Sequence, residues 1–243
     1  MALCEIKYFS TSLGKQTGMF VVIPDGQGPF RVVYQLHGLS DDYSMWLRRS
    51  NIERYADSTG LMVVMPDGGR SFYADMVSGG GNYEQHMLET VRYIDRVFPT
   101  IARASGRAIG GLSMGGYGAM KLGLKYPDTF CSVASHSGAL DMKMNEAKGF
   151  GWEVKSIFGE ELSAGNDCMA LAAIPEVKPA IYFDCGVDDF LIEHNRSFHT
   201  ELLKLQVAHT YHEYPGAHTW DYWDTHVQEA FAFHLEHLEK VTE

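Results

Sequence analysis

Long hydrophobic runs are missing from these 243 residues. No stretch approaches the roughly 18 apolar residues that suggest a membrane span, and Glu5 and Lys7 fall where a secretory signal would need its apolar core. Cysteine is scarce: Cys4, Cys131, Cys168 and Cys185 form no C-x-x-C pair and no knot-like spacing. Their mostly apolar neighbours predict buried free thiols, which suits a reducing cytoplasm. Basic charge is also short, with 20 lysines and arginines against 31 aspartates and glutamates, a net charge of −11. No basic cluster breaks that excess, so a nucleic-acid backbone would be repelled. Internal repeats and Pro/Gly/Ser-rich linkers are absent, which predicts one domain over 1–243. No G-x-x-x-x-G-K-[ST] loop occurs, and no G-x-G-x-x-G stands in the register that would cradle a dinucleotide.

What is present is an ordinary globular composition, 45% hydrophobic and 12% aromatic, which excludes disorder. Short β-branched runs alternate with helical patterns. Strands are expected at Cys4–Ser10, Met19–Ile23, Arg31–Leu36, Leu61–Met65, Arg107–Gly111, Phe130–Ser135, Ala180–Cys185 and His209–Tyr214. Several are almost continuously apolar, as parallel strands covered on both faces should be. Helices are expected at Ser50–Ser58, Tyr83–Val97, Met114–Lys125, His194–Leu205 and Tyr222–Val241. Within Tyr83–Val97, the residues Met87, Val91, Ile94 and Val97 mark a core-facing stripe. The alternation predicts an α/β fold, a mostly parallel sheet of about eight strands with helices on both faces. The first two strands, with no helix between them, should form an antiparallel edge. Asp141 to Val177 interrupts the rhythm and reads as a small lid-like insertion.

The most informative stretch is R-A-I-G-G-L-S-M-G-G-Y-G-A-M, Arg107 to Met120. Its G-x-S-x-G core follows an apolar strand and opens a helix. A serine between strand and helix must sit in a strained turn, so Gly111 and Gly115 must lack a Cβ. The helix N-terminus behind Ser113 places partial positive charge where an oxyanion would develop.

A serine hydroxyl needs a base, and on this architecture the order is serine, acid, histidine. His218, in the Y-P-G-A-H-T-W loop after the last strand, is the expected base. His209, His212, His226, His234 and His237 are assigned to core or surface. The acid is expected just after Ala180–Cys185, where Asp188 and Asp189 both stand; Asp184 lies inside the strand. Backbone N–H groups of Leu39 and Met114 are the expected oxyanion donors, the first from the H-G-L loop after the third strand. His37 reads as a support for that loop. The pairs His209/His212 and His234/His237 lack the spacing of a metal motif, so neither metal nor other cofactor is expected. His136 precedes the acid and could only line the site. Trp220, Tyr222 and Trp223 either wall a substrate pocket or pack the last helix.

Taken together, L-H-G-L with Trp46 downstream, M-P-D-G-G-R-S-F-Y-A-D, G-G-L-S-M-G-G-Y-G-A-M, C-G-V-D-D-F-L and P-G-A-H-T-W-D-Y-W make the chain resemble the esterase D branch of the α/β-hydrolases, and within it the small tributyrin-type esterases. The resemblance implies a serine carboxylesterase acting on short-chain or aryl esters of small molecules. In that pattern Ser113 is the nucleophile, His218 the base and Asp189, three residues after Gly186, the acid. It also implies a homodimer or homotetramer. Feruloyl esterases, S-formylglutathione hydrolases and mycolyltransferases share the branch, so thioester hydrolysis and acyl transfer remain alternatives. A non-catalytic binding protein on the same fold is disfavoured by the presence of serine, histidine and acid together.

Overall fold

The computed structural model describes residues 1–145, 151–174 and 178–240. Eight strands form one sheet in the order β1-β2-β4-β3-β5-β6-β7-β8. They are β1 (Ala2–Ser10), β2 (Lys15–Ile23), β3 (Val32–Leu36), β4 (Met62–Pro66), β5 (Arg107–Leu112), β6 (Ser132–His136), β7 (Ala180–Gly186) and β8 (Thr210–Tyr214). All eight expected strands are present, with ends displaced by up to four residues. β1 and β2 pair antiparallel, β2 also runs antiparallel to β4, and every other pairing is parallel.

The period-2 geometry of a strand divides the core in two. Val32, Tyr34 and Leu36 of β3, with Met62 and Val64 of β4, face one apolar layer; Val33, Val63 and Met65 face the other. Over the first layer lie α3 (Tyr83–Val97), α4 (Met114–Lys125) and α8 (Ile192–Lys204). Covering the second are α1 (Met45–Arg49), α2 (Ile52–Thr59) and α9 (Trp220–His237), through Trp46, Ile52, Ala56, Val227 and Phe231. Burial on both faces explains why β3 through β6 carry almost no polar alternation, whereas β1, at the edge, alternates exposed and covered positions.

Some expectations need correcting. In α3 the buried stripe is Met87, Val91 and Ile94, but Val97, at the last turn, is 48% exposed. The last helix begins at Trp220, two residues earlier than expected, and ends at His237; Val241 lies outside the described residues. Cys168 and Cys185 are buried free thiols, while Cys4 and Cys131 are only partly covered. Burial still pushes the Cys131 thiol up to about 11. Within the segment 141–177, the described residues contain α5 (Met142–Asn145), α6 (Gly151–Phe158) and α7 (Cys168–Ala172); residues 146–150 and 175–177 lie outside them. Among the described residues no helix is long and apolar enough to cross a membrane.

One core feature sets a pH dependence. His234 on α9 is fully buried, its Nδ1 2.7 Å from the Ser132 hydroxyl, and burial, with His136 and His237 nearby, lowers its pKa from 6.5 to about 3. The unfolded chain therefore takes up a proton that the folded protein refuses. Stability is fully present above the ordinary histidine value and declines as pH falls from there towards the folded value, by at most about 1.4 kcal/mol per pH unit. The urea midpoint should fall between pH 6.5 and 5, before ordinary carboxylates titrate, and fall less steeply in His234→Gln. Equal slopes in the two proteins would remove His234 as the cause.

Candidate active site

Every residue singled out for chemistry stands at the C-terminal end of a strand in the parallel part of the sheet. That edge is where α/β sheets bring loops together into a crevice. Leu39 follows β3, Ser113 follows β5, Asp189 follows β7 and His218 follows β8.

Ser113 occupies the turn between β5 and α4 with φ 55° and ψ −116°, a conformation that side-chain-bearing residues rarely adopt. Its N–H donates to the His136 carbonyl at 2.9 Å, and its own carbonyl accepts from the N–H groups of Tyr117 and Ala139 at 3.0 and 3.3 Å. The glycines on either side are sterically required. A Cβ on Gly111 would sit 2.6 Å from the Gly115 carbonyl, and one on Gly115 would sit 2.5 Å from the Leu36 oxygen.

The Ser113 hydroxyl lies 3.0 Å from His218 Nε2. On the other side of the ring, His218 Nδ1 is 2.8 and 3.0 Å from the two carboxylate oxygens of Asp189. Asp189 is 2% exposed and also accepts the Leu191 N–H at 2.8 Å. Burial alone would raise its carboxyl; the His218 ring, the Leu191 N–H and the Ser137 hydroxyl outweigh that and hold it below the usual carboxylate range. With the carboxylate as sole acceptor at Nδ1, Nε2 is left as the lone-pair nitrogen facing serine. Asp188, by contrast, is exposed, and what it contributes to the loop is a backbone N–H donated to the Gly216 carbonyl at 2.9 Å.

The Leu39 and Met114 N–H groups donate to no acceptor among the described residues. Met114 is the first residue of α4, where helix N–H groups have no partner within the helix. His37 braces the neighbouring loop: its Nε2 accepts the Gly68 N–H at 2.8 Å, which leaves Nδ1 to donate to the Gly38 carbonyl at 2.8 Å.

Two spaces open beside Ser113. A cavity of about 570 Å³ is bounded by Asp41, Arg49, Arg70, Phe190, Trp220 and Trp223, among others. A smaller recess of about 40 Å³ is walled by Leu39, Phe72, Met114, Ala139, Phe190 and Leu191. The aromatic trio therefore divides. Trp220 and Trp223 line the cavity, whereas Tyr222 is buried and donates to Asp184 at 2.9 Å. His136 does not line the site. It is fully buried, with Nδ1 2.7 Å from Asp184. His209 pairs with His199 at 2.8 Å, and among the described residues no three histidine, cysteine or acidic side chains gather as metal ligands.

Residue-by-residue reading of the sequence missed Arg70, Phe72 and Phe190. Arg70 Nε donates to Glu153 of α6 at 2.9 Å and Nη1 to the Leu39 carbonyl at 3.2 Å, joining the segment 141–177 to the loop after β3. The motif M-P-D-G-G-R-S-F-Y-A-D contains Arg70 and Phe72, but a motif gives no direction for a side chain.

Sheet order and the serine at its strained turn define an α/β-hydrolase, and comparison with known proteins narrows the class. Residues 10–234 match the family described as "Putative esterase". The chain belongs to that family, in its esterase D-like branch, and is a carboxylic ester hydrolase. It is similar to an acetyl esterase of Caldicellulosiruptor saccharolyticus, 29% identical over 260 residues that span 95% of this chain and 97% of the relative. Among solved structures, the fluorophosphonate-binding serine hydrolase FphF of Staphylococcus aureus superposes with a TM-score of 0.90 at 28% identity, covering 96% of this chain and 98% of that one. The S-formylglutathione hydrolase FrmB of the same organism gives a TM-score of 0.88 at 28% identity, with the same coverage.

Proposed function

We propose that the enzyme hydrolyses esters of short acyl chains, with Ser113 as nucleophile, His218 as general base, Asp189 as its orienting acid, and the Leu39 and Met114 N–H groups as oxyanion donors. The observation that carries the acyl preference is the recess. Its space is about 40 Å³, against about 570 Å³ for the neighbouring cavity. A space so much smaller suits the short chain of an acetyl to butyryl group. The alcohol then lies in the larger cavity, which also admits aryl groups. The acetyl esterase relative supports the same reading.

His218 takes the Ser113 proton as the oxygen attacks the ester carbonyl, and negative charge moves to the carbonyl oxygen between the two N–H groups. Collapse expels the alcohol, protonated by the imidazolium. Water, deprotonated by His218, then attacks the acyl-enzyme and releases the acid. The scheme uses no cofactor.

The test is a nitrophenyl ester series from acetate to decanoate, run beside methyl ferulate and S-formylglutathione. kcat/KM should be highest between acetate and butyrate and fall by about tenfold or more for each methylene the recess cannot hold. A maximum at octanoate or decanoate would overturn the reading. Preference for ferulate would instead place the acyl group in the larger cavity, and preference for the thioester would change the leaving group while keeping the serine chemistry.

Acidification should lower kcat/KM with a limiting slope of one in log–log form, as a mechanism with one general base requires. Asp189 stays ionised across the mildly acidic range because its carboxyl is held low. A slope of two there would show the acid titrating as well.

A further inference from the structure

Phe72 and Tyr73 are consecutive left-handed residues, with φ 50° and 52°, in a loop where neither is glycine. Left-handed backbone at bulky side chains persists only where the surroundings impose it. Here the surroundings are a buried ion pair for which ester hydrolysis has no use.

Lys121, on α4 two turns beyond Ser113, is fully buried. Its ammonium donates to the Tyr73 carbonyl at 2.7 Å and to Glu84 of α3 at 2.8 Å, and reaches Asn166 Oδ1 at 3.5 Å. Burial alone would raise the Glu84 carboxyl, but Lys121, Lys125 and Tyr126 outweigh it and bring it below the ordinary value. A buried ammonium is costly unless paired and fully hydrogen-bonded, and one of its acceptors is the peptide that holds the left-handed pair. The loop is fixed from the other side as well, where the Tyr73 hydroxyl donates to the His37 carbonyl at 3.1 Å. Phe72, thus presented, walls the recess beside Ser113, with its ring edge-on to Tyr117 at 5.8 Å.

We infer that Lys121, paired with Glu84, is a specificity-determining positioning residue: it holds the Phe72–Tyr73 turn so that the Phe72 ring closes the acyl recess and limits chain length. The inference rests on the recess being the acyl site. Lys121 touches no substrate and acts only through the turn.

Three variants test it by the ratio of kcat/KM for nitrophenyl hexanoate to that for acetate. In Phe72→Ala the ratio should rise about tenfold or more, the discrimination a methylene-sized change in an apolar pocket gives. Lys121→Met, which keeps length and removes charge, should raise it in the same direction by about fivefold to tenfold. Glu84→Gln, the milder change, should give a smaller rise. Labelling of Ser113 by a small fluorophosphonate should stay within about threefold of the parent in Lys121→Met and Glu84→Gln, since neither residue touches the reacting groups or the recess. A merely structural role would lower stability and both ester rates together, leaving the ratio unchanged. An unchanged ratio in Lys121→Met, or in Glu84→Gln should the first variant not fold, with a raised ratio in Phe72→Ala, overturns the role of Lys121 and leaves the acyl site standing. An unchanged ratio in Phe72→Ala overturns both.

Discussion

Ser113→Ala should abolish turnover of nitrophenyl acetate, lowering kcat by about 10⁴-fold to 10⁶-fold while leaving the melting temperature unchanged or raised. The loss follows from the geometry: no other hydroxyl stands 3.0 Å from His218 Nε2 among the described residues. The second half of the expectation comes from the backbone. Ser113 sits at φ 55°, and the turn is imposed by the close approach of Gly111, Gly115 and the Leu36 carbonyl. An alanine bears the same Cβ, so the strain is neither relieved nor increased, and only a half-buried hydroxyl is removed. A fluorophosphonate should label the parent and not the variant. Retained hydrolysis above about a hundredth of the parental rate would mean that another group attacks the ester.

Asp189→Asn should cost about 10³-fold to 10⁴-fold in kcat, and Asp188→Asn less than about threefold. Both substitutions are nearly isosteric, yet the two carboxylates stand in opposite surroundings. Asp189 is 2% exposed, with His218 Nδ1 at 2.8 Å and the Leu191 N–H at 2.8 Å. An asparagine there could turn its NH₂ towards Nδ1, making that nitrogen an acceptor and placing the ring proton on Nε2, where it faces the serine and disables the base. Asp188 is exposed, and the bond it makes to Gly216 comes from its backbone, which survives the change. The pair is best compared by steady-state kinetics on one ester at one pH. Equal losses would show the loop, rather than one carboxylate, to be what matters.

The legible parts of this protein were those fixed by local rules. Val32–Leu36 and Met62–Pro66 are buried on both faces, and such strands betray themselves by apolar runs. Gly111 and Gly115 were legible because a backbone constraint allows only one residue type. His218 and the neighbouring aspartates could be found by chain order, but choosing between Asp188 and Asp189 needed resemblance, since neighbours in sequence face opposite environments. What could not be read is what depends on distant partners. Lys121 looks like an ordinary surface lysine on a helix; it is buried because α3 supplies Glu84 from 37 residues away. His136 reads from the sequence as a residue that could line the site, yet its partner is the strand residue Asp184. Helix α1, only five residues long, was too short for its periodicity to register.

The tryptophans have an optical consequence. The chain has four, and three form a contiguous array: Trp46 and Trp220 edge-on at 5.2 Å, Trp220 and Trp223 at 5.4 Å, and Trp223 edge-on to the His218 ring at 4.8 Å. Trp152, 72% exposed on α6, is the exception. Trp223 is therefore in ring contact with the imidazole, with Trp220 and Trp46 in turn behind it, and a change of charge beside Trp223 is felt by that fluorophore. Emission intensity followed after mixing with an ester in a stopped-flow cell therefore reads out events beside His218 with no added label.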